Sequence, residues 1–289
     1  METGSKKPSS LSSLIKKEFH LRADNKDELT ANGLRTFVDI SRSSIQLLKI
    51  DTSLKAIEML SFVFPSAKGD ERWLQRVQEL INCKEYAAFT EGTEISFSLS
   101  DPRISIVPQS IYSDEKKDAL FSFSQQMENG ATVLKQDLPE LGAVGLFSVP
   151  SQLQHIIEHP VTNTHLLWIK NVVKADRKLS ANLVLSKEDF SLVVSKDNEL
   201  LFSNRFNISK PEDVLYFLMA TLEGLKILHT NVSVILYGDV KKNDATHEIL
   251  AKYLPRISFA TRAADMKYAY AFKEISEHRF PHIFQAACE

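Results

Sequence analysis

The most chemically suggestive spacing in the chain is His155-Ile-Ile-Glu158-His159, the His-x-x-Glu-His pattern of a zinc peptidase. Two histidines four residues apart share one helix face and can hold one metal ion, with the glutamate activating a water. Pro160 follows directly, so a helix has to end at His159, and no third ligand stands out downstream. A histidine at a helix C-terminus is also explained by the dipole and free carbonyls there. His278-Arg-Phe-Pro-His282 sets two more histidines across a proline and reads as a turn with solvated imidazoles. Two cysteines, Cys83 and Cys288, leave no disulfide framework and point to reduced thiols in a cytoplasmic protein. Cys288 reads as a small apolar residue closing the last element. No serine lies in a Gly-x-Ser-x-Gly elbow, and none of the nine glycines forms a Walker A or G-x-G-x-x-G loop.

The elements that position these residues follow from periodicity. Thr36–Ile40, Ser44–Ile50 and Lys55–Phe64 are β-branched and apolar, separated by polar turns, and predict three strands. Trp73, Leu74, Val77, Leu80 and Ile81 then recur at helical spacing. The second half repeats the order. Ala181–Ser186, Phe190–Ser195 and Glu199–Phe206 predict strands, and Ser209-Lys-Pro-Glu212 starts a helix in a capping-box pattern, with Val214, Leu215, Leu218, Leu222 and Leu225 on its buried face. One ungapped shift lays Ser41 on Ser186, Arg42 on Lys187, Leu47 on Leu192, Val77 on Leu222 and Leu80 on Leu225. The shared order at one offset predicts a duplicated architecture.

Further strands are expected at Arg103–Val107, Ala143–Val149, Val232–Tyr237 and Arg256–Ala260. Helices are expected at Ser113–Glu128, with Ser113 as N-cap, at Ser151–His159 and at Asn243–Leu254. The expected organisation is a flexible N-terminal segment over residues 1–33, a first half over 34–160, a crossover over 161–180, and a second half over 181–289. That second half carries a C-terminal extension, in which residues 265–278 pack back on it.

Duplicated units of three antiparallel strands and a helix resemble the α/β actin-like, ribonuclease H-like fold, which also underlies sugar kinases, heat-shock chaperones and pilus-assembly proteins. More closely, the chain resembles a family of bacterial proteins without assigned function that has an actin-like ATPase fold. The residues carrying this are Ile104-Ser-Ile-Val-Pro108 running into Ser113–Glu128, then Leu236-Tyr-Gly-Asp239, and the closing Phe280–Glu289 with Cys288-Glu289 at its end. The resemblance spans residues 34 to 289.

In active members of that fold each half offers an Asp-x-Gly hairpin, whose glycine lets backbone N–H groups reach a phosphate while the aspartate positions Mg²⁺ or water. The resemblance therefore implies Asp39 near a metal, Ser41 and Ser43 near phosphate, and Gly238 near adenosine. The first hairpin, Val38-Asp39-Ile-Ser41-Arg42-Ser43-Ser44, lacks the glycine. In the second, Val184 replaces the aspartate and Ser186-Lys-Glu-Asp189 brings acids that repel phosphate. The adenosine motif has Gly238 followed by Asp239 where paired glycines are usual. Asp39 and Ser43 are thus read as hairpin polar groups that cap their own backbone, the other reading being a degenerate nucleotide cleft.

Composition agrees with a folded, non-basic protein. The 289 residues are 43% hydrophobic and 25% charged, with 35 Lys and Arg against 37 Asp and Glu. That balance excludes a mostly disordered chain and gives no basic surface for nucleic acid or anionic membrane. No stretch approaches the roughly 20 apolar residues of a membrane helix. The function expected is a non-catalytic interaction or scaffold protein without cofactor, having a protein partner and a cytoplasmic location. The alternatives are an ATP-binding actin-like ATPase with Mg²⁺, and a zinc-dependent hydrolase at His155, Glu158 and His159.

Overall fold

A computed structural model describes residues 13–25, 33–65, 70–101, 103–175 and 178–288, in a mixed α/β arrangement of three sheets. In the first sheet, β2 (Arg35–Ile40), β3 (Ser44–Ile50) and β4 (Lys55–Val63) form an antiparallel meander. β5 (Glu94–Leu99) pairs parallel to β2, and β9 (Val161–Asn163) parallel to β5. β1 (Lys16–Arg22) and the short β15 (Lys267–Tyr268) both pair with β4 on the far edge.

The second sheet has the same order and directions. β12 (Glu199–Asn207), β11 (Asp189–Lys196) and β10 (Ser180–Leu185) run antiparallel, and β13 (Ser233–Gly238) and β14 (Ile257–Phe259) continue parallel beyond β10. Even the turns agree. Ser41 N–H donates to the Ser44 carbonyl at 2.9 Å, and Ser186 N–H to the Asp189 carbonyl at 2.9 Å.

The strands form where apolar residues fill both faces of a covered sheet. On one face of the first sheet Val38, Ile40, Leu47 and Phe62 pack under α1 (Asp70–Ile81), which buries Trp73, Leu74, Val77 and Leu80 as the spacing predicts, while Ile81 is half-buried. α2 (Lys84–Thr90) follows, its N-terminus capped by the Cys83 sulfur. In the second sheet Leu183, Phe190 and Leu192 pack under α6 (Pro211–Gly224), which buries Val214, Leu218 and Leu222; Leu215 and Leu225 are half-buried. The capping acid of α6 is Asp213 rather than Glu212, since its carboxylate accepts from Ser209 and Lys210 N–H.

Four expectations change. The predicted strands over 103–107 and 143–149 exist as β6 (Ile104–Pro108) and β8 (Ala143–Pro150), but they leave the first sheet. With β7 (Ala131–Leu138) they form a separate three-stranded sheet inserted between β5 and β9. The helix beside it is shorter than predicted. A 3₁₀ turn, Asp114–Lys116, leads into α3 (Lys117–Ser124), and Ser113 makes no side-chain cap bond.

The expected crossover holds α5 (Thr164–Ala175), buried on nearly every side. Leu166 reaches the core of the first sheet, Leu167 the core on its other face, and Trp168, Ile169 and Val172 pack with Val193 of β11. A helix with apolar residues on most of its faces belongs in an interior. Gly145 of β8 allows its close approach, because a Cβ there would lie 2.4 Å from Leu166.

The expected flexible segment contains β1; residues 1–12 and 26–32 of that expectation lie outside the described residues. Finally, the apolar C-terminal residues pack on the first sheet, and of the expected contacts with the second half His278 makes those to Gly238, Val240 and Phe259. Met266, Phe272, Ile283 and Phe284, the last two on α8 (Pro281–Ala287), cover Phe37, Leu48, Ile57 and Met59. α4 (Ser151–Ile157) and α7 (Ala245–Tyr253) complete the described helices.

Candidate functional site

Asp39 lies on β2 opposite Ser98 of β5, near the N-terminus of α5. Its side chain is 4% exposed, and Oδ1 accepts from the Ser98 hydroxyl at 2.9 Å and the Thr164 hydroxyl at 3.0 Å. Burial pushes its pKa up to about 6, against the smaller opposing effect of these hydroxyl bonds. Asp39 therefore bonds across strands and to a helix start rather than capping its own hairpin.

Ser41 does close the hairpin. Its Oγ accepts from Ser44 N–H at 2.9 Å and Ser43 N–H at 3.2 Å, and the Trp73 indole N–H donates to its carbonyl at 2.8 Å. The hydroxyl and two backbone donors that a phosphate would use are thus consumed by the turn. Ser41→Ala is expected to cost about 1 kcal/mol, as for other buried or capping acceptors. Urea melts would check this; a neutral substitution would mean that water replaces the hydroxyl without loss.

The cations next to this hairpin are balanced by acids that sequence reasoning missed. The Arg42 guanidinium lies over the Trp73 ring at 4.3 Å, with Nε 3.5 Å from Asp101 and Nη2 3.5 Å from Glu128. Arg103 grips the same Asp101 through Nε at 3.1 Å and Nη2 at 2.7 Å, and also pairs with Glu128. Burial would raise the pKa of Asp101, but the Arg103 bonds and charge outweigh it and hold the carboxyl below its usual range. Two arginines and two carboxylates leave little net field for an anion. The only sequence signal was Asp101-Pro-Arg103 following a strand.

In the second hairpin Ser186 Oγ bonds the Asp189 carbonyl, and Asp189 pairs with Arg205 at 2.5 Å. Gly238, at the end of β13, has φ +85°, and a Cβ there would lie 2.3 Å from the Leu185 carbonyl oxygen. The glycine is required by this close approach of two parallel strands. Its N–H donates to the His278 carbonyl at 2.9 Å, and the His278 ring bonds the Val240 carbonyl at 2.7 Å. The C-terminal segment therefore takes the backbone donor of Gly238. Taken together, the Asp39 carboxylate, the Ser41 hydroxyl, the Ser43 backbone and the Gly238 N–H are all engaged in internal bonds.

The zinc constellation is not assembled. Glu158 ends α4 in the left-handed region at φ +57°, so His159 leaves the helix face of His155 and stacks on Phe97 at 5.6 Å. Among the described residues no group of three His, Cys, Asp or Glu is placed to hold a metal ion. His282 is not in a solvated turn but half-buried on α8, 5.4 Å from His165 and 5.9 Å from Trp168. Cys83 and Cys288 are both unbridged thiols.

A family model described as "Protein of unknown function (DUF3822)" matches residues 24–257. The chain belongs to this family. No curated protein matches it. Among solved structures, this family member is similar to a Bacteroides thetaiotaomicron protein with actin-like ATPase fold and unknown function. The identity is 12%, the TM-score 0.69, and the match covers 81% of this chain and 93% of that one. It is also similar to a chain of the PilM-PilN type IV pilus biogenesis complex, at 12% identity and TM-score 0.57, over 89% and 97% of the two chains. The fold of the family member is thus an actin-like ATPase fold. No described helix is long and apolar enough to cross a membrane.

Proposed function

We propose that this chain is a non-catalytic interaction protein that keeps an actin-like fold and has given up its nucleotide loops. The observation that carries the reading is Asp39. The one acid left in the hairpins at a metal-binding position is buried and bonded to Ser98 and Thr164. The missing hairpin glycines, the engaged N–H of Gly238 and the paired arginines support it further. The matching strand orders and turn bonds of the two sheets support descent from a duplicated half. A similar solved structure comes from a protein–protein complex of pilus biogenesis, which favours a protein as partner by analogy of fold. Unbridged cysteines favour a reducing compartment, the cytoplasm.

Calorimetric titration with Mg-ATP and Mg-ADP tests the reading. No binding heat and an unchanged melting temperature are expected. Micromolar binding that Asp39→Ala abolishes would overturn the proposal and restore an ATPase.

A further inference from the structure

Among the described residues, the two sheets outside the first have unpaired edges that line one groove. β12 is the outermost strand of the second sheet, and β6 the outermost strand of the inserted one. In an antiparallel pair every second residue of an outer strand turns its N–H and C=O away from its neighbour, ready to pair with another chain. Between these edges lies a groove of about 450 Å³, walled by Ile104–Ile106 and α3 on one side and by Leu200–Arg205 on the other. The wall residues of the inserted sheet are braced together, Ser105 to Ser124 at 2.6 Å and Gln125 to the Ile104 carbonyl at 2.9 Å.

His165 of α5 forms the floor. It is 4% exposed, and among the described residues it has ring neighbours in Trp168 and His282 but no hydrogen bond. Burial and the nearby His282 hold its pKa well below the usual value, so the ring is neutral and carries one donor and one acceptor nitrogen. A buried polar group without a partner is costly, and this one faces a groove.

The walls are mostly polar, with Ser105, Ser124, Gln125, Ser203 and Asn204 along them. Leu201 sits at a bulge between the Val194–Phe202 and Ser195–Leu200 pairs and is 38% exposed, an apolar side chain open to the groove. Among the described residues the only lysine or arginine lining the groove is Arg205, already paired with Asp189, so the site is not built for an anion. The six residues of the β12 wall extend roughly 20 Å, the length of a strand of five or six residues.

We propose that this slot receives an extended segment of a partner protein, which adds to β12 as a further strand and hydrogen-bonds through its backbone to His165. Strand addition draws affinity from main-chain bonds and specificity from alternate side chains, here an apolar one set against Leu201. The proposal rests on the interaction-protein reading and specifies where the partner binds.

Selection of a random linear-peptide display library on the full chain, followed by anisotropy titrations of the selected peptides, tests it. The expected peptides alternate apolar and polar residues and slow amide exchange over Leu200–Arg205. Their affinity falls at least about tenfold in Ser124→Trp, which fills the groove from an exposed position, and in His165→Phe. The proposal is overturned if the library yields no binder, if Ser124→Trp binds as tightly as wild type, or if protection appears at another edge such as β9 or β14. It is equally overturned if the free chain self-associates through β12. Those outcomes remove the slot and leave the interaction-protein reading in place, which only nucleotide binding removes.

Discussion

Replacing Glu58 by alanine lowers stability by about 3–5 kcal/mol, the loss expected when one partner of a buried ion pair is removed. Glu58 on β4 and Lys49 on β3 are both buried, with Lys49 Nζ 3.1 Å from Oε2 and His20 Nε2 of β1 at 2.8 Å from Oε1. Without the carboxylate the Lys49 ammonium keeps, among the described residues, the Phe89 ring face at 4.8 Å as a favourable neighbour. Burial alone would raise the pKa of Glu58, but the His20 bond and the Lys49 charge outweigh it and hold the carboxyl below its usual range. A folded-state pKa below the unfolded one means that stability is present above the unfolded value and lost as pH falls through the folded one. The deficit of Glu58→Ala is therefore full at pH 7 and shrinks below about pH 4. Urea melts at both pH values check this. A variant within about 1 kcal/mol of wild type at pH 7 would show that water solvates Lys49. Replacing Lys49 and Glu58 together by Met and Leu is expected to restore most of the loss, because no unpaired charge stays behind.

Asp39→Asn is expected to stabilise the protein at pH 8 by up to about 3 kcal/mol and to leave it nearly unchanged at pH 4. The carboxyl pKa is raised from 3.8 to about 6 by burial, so the folded state holds its proton to higher pH than the unfolded chain does. Stability then falls as pH rises from near 4 to near 6, and stays lower above that. Asparagine keeps an acceptor oxygen for Ser98 and Thr164 and removes the charge that burial penalises. Thermal melts at the two pH values measure the difference. Equal shifts at both would contradict the assignment, and a loss at pH 8 would mean that the carboxylate meets a cation when the protein works. The same residue thus separates a structural acid from a metal-positioning one.

Much of the framework was legible because it depends on local pattern. Both meanders and helices α1 and α6 follow from alternating or helically spaced apolar residues, and the bounds of the six meander strands agree closely with the prediction. What failed depends on contacts distant in sequence. β6 and β8 read correctly as strands, but nothing in Ile104–Pro108 says which sheet it joins. β1 alternates Phe19 and Leu21 with charges, a weak edge signal that the preceding polar residues masked. The same limit applies to the site. Asp39 and Gly238 stood out by type, whereas the partners that decide their roles, Ser98, Thr164, Leu185 and His278, are brought in by strand pairing and by the C-terminal segment.

The pairing of β15 with β4 and the seating of α8 over Phe37 and Leu48 also order events in time. A ribosome releases the first meander early, yet one face of that meander stays uncovered until residue 287 has emerged. The second sheet, by contrast, draws its strands and covering helices from one contiguous stretch and can close as soon as it is synthesised. The half made first is thus finished last. Nascent chains arrested before residue 265 should hold a protease-resistant second sheet beside a protease-sensitive first one, and in the cell that interval is when the apolar face needs a chaperone.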